Sequence, residues 1–382
     1  MTKNAWLLCA ASLLTGLGSC VKDEALNAEC DIVGVDPAWV DEKLAEGLLI
    51  GKPEVRNDRV DFTVQLGSDR TALNPVFELT SGATIVPASG TVRDFSGPQT
   101  YTTRSEDGAY SKEYTVSFKY PSLIHELKFE HFSLNSRSQY YQWFEVGATP
   151  DDRFDYWDSG NGGYAFTGMA RTPEDYPTIP WSAGRSGNCI RLKTLSTGSW
   201  GRGVGMPIAA GNLFIGEFKV AQAMLKPRQA TRFGRQLVTA RPLRFEGWYR
   251  YTAGPHYQNI KEQILPDKRD TCDIYAVLYE VDPDDFKALN GDDVLTSDRI
   301  VLMARIDKPG EPQEWTRFSE PFRPAGGRTF DYSRLANYGY AIAVVCTSSR
   351  QGAYFEGAVG SELFVDELRI VWEGDDEEEN ED

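Results

Sequence analysis

The chemistry open to this chain rests on carboxylates and indole rings, because the usual nucleophile and metal patterns are missing. Only three histidines occur, His125, His131 and His256, scattered too widely for a triad, and no cysteine–histidine cluster has zinc spacing. No nucleophile elbow or phosphate loop is present. Glycosidic hydrolysis would need two carboxyl groups about 5–5.5 Å or about 6.5–9.5 Å apart. Asp155, Asp158, Glu174, Asp175, Glu246, Glu280 and Glu356 offer many pairings, but among 56 acidic residues a pair is no evidence in itself. Glu356, in "YFEGAVG" between aromatic residues and glycine, is the catalytic candidate.

The most aromatic loop material lies at 140–200, in "YYQWFEV", "FDYWDSGNGGYAF", "EDYPTIPWSAG" and "TGSWG". Trp157, Tyr164, Trp181 and Trp200 stand there among Gly, Asn, Ser and Asp. A flat ring suits the face of a pyranose, and short polar side chains suit its hydroxyls. Anchoring of its own loop accounts for any one tryptophan as well as ligand contact does. At least one of Trp157 and Trp181 is expected to be exposed. Trp248, in "FEGWYRY", lies opposite Phe245 and Tyr249 on a strand and would line a groove on a sheet face.

A different question attaches to "SELFVDELRIVW", 361–372. Strict alternation puts Phe364, Asp366, Leu368, Ile370 and Trp372 on one face, so a mostly apolar face carries an acid. A buried carboxylate is costly unless bonded, paired or coordinated. Glu130, in "LKFEHF", interrupts an early strand in the same way. Calcium takes six to eight oxygens, so Asp366 and Glu130 with backbone carbonyls would seed a structural Ca2+ site. The alternative is a hydrogen bond to a backbone N–H or to an arginine such as Arg244. Glu367 points the other way, beside Arg369. No cofactor is otherwise required.

The ends of the chain bear on location. Lys3 precedes "AWLLCAASLLTGLG", an apolar stretch short for a membrane span. "LGSC" then sets small residues before Cys20, the pattern of lipoprotein processing with lipid attached to the Cys20 sulfur; a plain signal peptide is the alternative. Residues 1–19 would be the leader and 20–30 a lipidated tether. Without the leader the chain carries about −17. Such a surface repels nucleic acid, while neutral oligo- or polysaccharides remain compatible. The tail 374–382 is too acidic to join a core. Cys30, Cys189, Cys272 and Cys346 are too widely spaced to fix a pairing.

Two strand-built domains would position these residues. From 31 to 119, "RVDFTVQLG", "NPVFELT", "ATIVPAS", "QTYTTRS" and "KEYTVSFKY" alternate between turn residues, which suggests an immunoglobulin-like sandwich. "PAWVDEKLAEGLLIG" is expected to contain one helical turn. From 120 to 373, eight or nine antiparallel strands with long Gly/Pro-rich connections fit a jelly-roll sandwich. The fold class is therefore all-β.

Residues 79–118 resemble the N-terminal immunoglobulin-like module of Bacteroidetes surface lipoproteins, with "P-x-SG", "DFS-x-P-x-xY" and "SEDG" intact. "AAGNLFIGEF", "ARPLRFEGWYRYT", "CDIYAVLYE" and "YFEGAVGSELFVDELRIVW" resemble the putative carbohydrate metabolism domain, PCMD. The Lys-Asp-Glu after Cys20 resembles surface-export signals of the same group. These resemblances imply a lipoprotein of the outer membrane, exposed at the cell surface, that binds glycans as an accessory to carbohydrate uptake or metabolism. A glycoside hydrolase with paired carboxylates and a structural or adhesive surface protein are the alternatives.

Overall fold

The computed structural model describes residues 26–65, 68–121, 123–146, 153–325 and 327–375. Cys20, the leader and most of the acidic tail lie outside the described residues.

The chain forms two β-sandwiches. In the first, a five-stranded sheet runs in the order Glu54–Arg56, Arg59–Thr63, Ser111–Lys119, Gln99–Arg104, Thr84–Val86. Its Arg59–Thr63 and Ser111–Lys119 strands pair in parallel, and the rest pair antiparallel. A two-stranded pair, Ile32–Val35 with Phe77–Leu79, covers it. The alternation in "RVDFTV" turns Val60, Phe62 and Val64 inward, where Phe62 stacks on Phe118 at 4.1 Å. The helical segment is longer than one turn. Asp36 accepts from the Trp39 backbone N–H at 2.8 Å, Pro37 occupies the first turn, and the helix runs Pro37–Ala45. Burial of Trp39 edge-on to Phe62 holds this short helix in place.

The second unit packs two antiparallel sheets face to face. One, here the closing sheet, runs Thr178–Trp181, Cys189–Lys193, Glu362–Trp372, Pro242–Thr252, Thr316–Pro321. The other, the central sheet, is built on Asn212–Phe218, Tyr340–Thr347, Asp273–Glu280 and Ile300–Arg305, in that order. Ile190, Leu192, Phe245, Tyr251, Ile274, Leu278, Val344, Leu363 and Trp372 fill the space between them. Phe214, Tyr275, Val277, Ala343 and Val345 form a second apolar layer on the outward side of the central sheet. Its two middle strands are thus buried on both faces, which is why "DIYAVLY" and "YAIAVVC" read as unbroken apolar runs. The four cysteines of the described chain are buried free thiols.

The alternation expected along 361–372 is broken by a bulge. Trp248 pairs with Asp366 and Glu246 with Arg369, so Gly247 alone faces both Glu367 and Leu368. Glu367 takes φ 47° there. Leu363 and Val365 point inward before the bulge; Leu368, Ile370 and Trp372 do so after it. Asp366 therefore shares the outward face with Phe364 and not with the three core residues that follow.

Candidate functional site

The outward face of the central sheet holds a cavity of about 610 Å3. Phe214, Tyr275, Val345 and Thr347 form its floor, and loops near 160–167, 197–210, 223–231, 291–296 and 349–355 form its walls. One polar cluster lies in the floor. Asp273, 2% exposed, accepts from Arg305 Nε at 2.9 Å and from a second Arg305 nitrogen at 2.7 Å. Arg350 stands 3.4 Å from the same carboxylate and donates to the carbonyl oxygens of Asp307 and Ile306. Burial pushes the Asp273 carboxyl above its ordinary value, and Arg305 opposes that shift. The Arg350 Nε is buried without a partner.

Aromatic rings stand at the mouth: Trp200 is 38% exposed, Phe166 46% and Tyr354 48%. Arg228 lies over the Tyr354 ring at 4.9 Å and pairs with Asp292 at 2.8 Å. The Tyr354 loop is fixed from below. Asp270, 4% exposed, accepts from Ser349 Oγ, Ser361 Oγ and the Ala358 N–H, all within 2.6–2.7 Å. Gly352 lies so close to Ala210 that a Cβ would meet its methyl at 2.4 Å. Backbone approach and a saturated buried acid together hold Tyr354 in position.

The aromatic residues singled out in the sequence do not share one site. Tyr164 and Trp200 line the cavity. The Tyr164 hydroxyl donates to the Ser196 carbonyl at 3.1 Å, and burial pushes its pKa up to about 12. Trp157 lies in the core against Phe129, 5% exposed, and donates to Glu145 at 2.9 Å. That burial leaves it no free face for a sugar. Trp181, 38% exposed, and the half-buried Trp248 stand on the outward face of the closing sheet. Glu356 is not among the residues that line the cavity; its carboxylate accepts from the Tyr257 hydroxyl at 3.4 Å.

Asp366 and Glu130 do meet, at the loop 184–188. Asp366 Oδ2 accepts from the N–H groups of Arg185 at 2.6 Å and Ser186 at 3.3 Å, and Oδ1 from Glu367 N–H at 2.8 Å. Glu130 accepts from the backbone and side-chain nitrogens of Asn188. Gly187 approaches Glu130 so closely that a Cβ would stand 2.2 Å from its Oε1. Both carboxylates thus face N–H donors, which a cation would have to displace. Among the described residues no group of three or more His, Cys, Asp or Glu side chains is placed to hold a metal ion. The donor set does not fit calcium. Arg244 is no partner of Asp366; it bonds Ser319 and Glu246. Desolvation pushes the Asp366 pKa up to about 6.

Sequence reasoning missed Asp273, Arg305, Arg350 and Tyr354. The available signal was an acid opening an apolar strand, "DIYAVLY", with Arg305 closing a neighbouring strand and Arg350 just past the end of another.

Residues 128–371, a span that includes every cavity-lining residue, match the family described as the putative carbohydrate metabolism domain. The chain belongs to this family. Residues 48–118 match the family described as SGBP, N-terminal. A crystal structure of a putative glycoside hydrolase from Bacteroides thetaiotaomicron is 39% identical with a TM-score of 0.78, covering 92% of this chain and 99% of that one. A second, from Bacteroides vulgatus, is 37% identical with a TM-score of 0.60, covering 66% and 100%. No curated protein matches the chain. In this member of the carbohydrate metabolism domain family, the acids lining the cavity among the described residues are Asp273 and Asp292, and arginine engages each.

Proposed function

We propose that this chain binds glycans in the cavity of the central sheet and does not cleave them. The observation that carries this reading is the pairing of both cavity acids with arginines beneath an aromatic mouth. Hydrolysis asks for one carboxyl free to donate a proton and another free to attack or to activate water. Asp273 is held bidentate and Asp292 is tied to Arg228. The same arrangement suits recognition: rings at Trp200 and Tyr354 for sugar faces, and fixed charged groups for hydroxyls. The N-terminal family match supports a surface glycan-binding role. In that setting lipid on Cys20 would hold the chain at the outer membrane, facing outward, as an accessory to carbohydrate uptake.

The two solved relatives, each described as a putative glycoside hydrolase, favour the second reading, a glycoside hydrolase. A glycan array coupled to mass spectrometry of the products separates the two. Wild type is expected to retain at least one neutral glycan and release no shorter product. Trp200→Ala or Tyr354→Ala should weaken that binding about tenfold or more. Release of product by wild type, abolished by Asp273→Asn, would establish the hydrolase instead.

A further inference from the structure

We propose that the outward face of the closing sheet is a second binding surface, for an acidic polysaccharide whose carboxylate is taken by Arg250. The surface lies on the opposite side of the sandwich from the cavity and does not depend on the reading given to that cavity. Arg191, Phe364 and Arg250 are direct cross-strand neighbours on three adjacent strands. The Arg250 guanidinium lies 4.1 Å from the Phe364 ring centre and 5.4 Å from that of Trp315. At the other end Arg191 sits over Trp181 at 5.3 Å, and Trp181 meets Phe364 edge-on at 5.9 Å. Rings and guanidinium groups thus succeed one another at the strand spacing of about 4.8 Å.

The charges of this face are out of balance in one direction. Glu362 serves both Arg191 and Lys193. Glu246 serves both Arg244 and Arg317. Glu367 is matched by Arg185, and Asp366 is taken up by backbone N–H groups. Arg250 has no acid partner among the described residues, and its Nε is buried without an acceptor. A cationic surplus on a chain of net charge −16 selects an anionic ligand locally. A planar guanidinium fork held between two rings is preorganised for a carboxylate. A polynucleotide, with one charge per ~1.7 Å of duplex, would meet the repulsion of the whole acidic chain. A polymer with one carboxylate per sugar carries less charge along its length than a duplex, and it offers a carboxylate to the guanidinium fork and sugar faces to Trp181 and Trp315.

The test titrates the full chain with polygalacturonate and with a neutral galactan at about 0.02 M and about 0.3 M NaCl, where screening differs several-fold in range. Wild type should bind polygalacturonate at low salt and lose most of that affinity at high salt. Arg250→Gln should lower the low-salt affinity about tenfold or more, while Trp200→Ala leaves it unchanged. Arg250→Lys, with the charge kept and the plane lost, should fall between, and circular dichroism reports whether each variant folds. If Arg250→Gln does not fold, Trp315→Ala carries the same expectation. No binding of polygalacturonate by wild type would overturn the proposal, as would full binding by Arg250→Gln. Equal loss in Trp200→Ala would place the acidic ligand in the cavity and overturn it as well. Failure of the neutral galactan to bind would count against the cavity reading and leave this one standing.

Discussion

Glu145 shows how a half-buried carboxylate writes itself into the pH dependence of folding. Desolvation pushes its pKa up to about 7, although Trp157 donates to it at 2.9 Å. A carboxyl whose folded value is raised contributes stability in full below its unfolded value, near 4.5, and loses it as pH rises through about 7. Glu145→Gln keeps an acceptor for the indole and removes the charge. Urea denaturation should therefore find the variant more stable than wild type at pH 8, by on the order of 1–2 kcal/mol, and nearly equal at pH 4. A second expectation concerns Asp366 and Glu130, whose oxygens face N–H donors. Treatment with EDTA should move neither the melting temperature nor glycan binding, and a marked drop in either would restore the calcium site. That Asp366 needs a partner was legible from an acid in an apolar strand. The Asp273 cluster was not, because Arg305 and Arg350 reach it only after three strands have been laid side by side.

Strands as units were legible wherever one face is buried and the other wet. "RVDFTV" and "FEGWYRY" alternate in sequence and in space. The closing strand defeats the same logic, because one extra residue at Glu367 exchanges its faces halfway along. Gly247 marks the place from the partner strand: a Cβ there would meet Leu368 at 2.5 Å and Phe318 at 2.9 Å. A glycine between Glu246 and Trp248 in a long strand was a visible sign of close approach. Gly247→Ala should cost about 1–3 kcal/mol through overpacking, measured by chemical denaturation with no change in the slope. The nine-residue helix in the first unit was underestimated for the converse reason. Its stability comes from Trp39 packing on the sheet, which local propensity does not register.

At the scale of the molecule, the two sandwiches meet through matched groups. Arg235 binds Glu54 across the junction, and Arg56 donates to the Asp155 carbonyl at 2.6 Å. Gly51, at φ 69°, lies against Pro283, where a Cβ would stand 2.3 Å from the carbonyl oxygen. Gly51→Ala should wedge this contact open, so that calorimetry resolves two unfolding transitions where wild type shows one. Two separable transitions already present in wild type would mean that the contact is too weak to couple the units. Ile50 of the first unit is packed into the same apolar cluster as Phe214, Phe233, Tyr275 and Val345, which line the cavity. The first unit therefore contributes a side chain to the apolar layer that underlies the cavity. A substitution at Ile50 is thus felt at the cavity floor, although the residue belongs to the other unit.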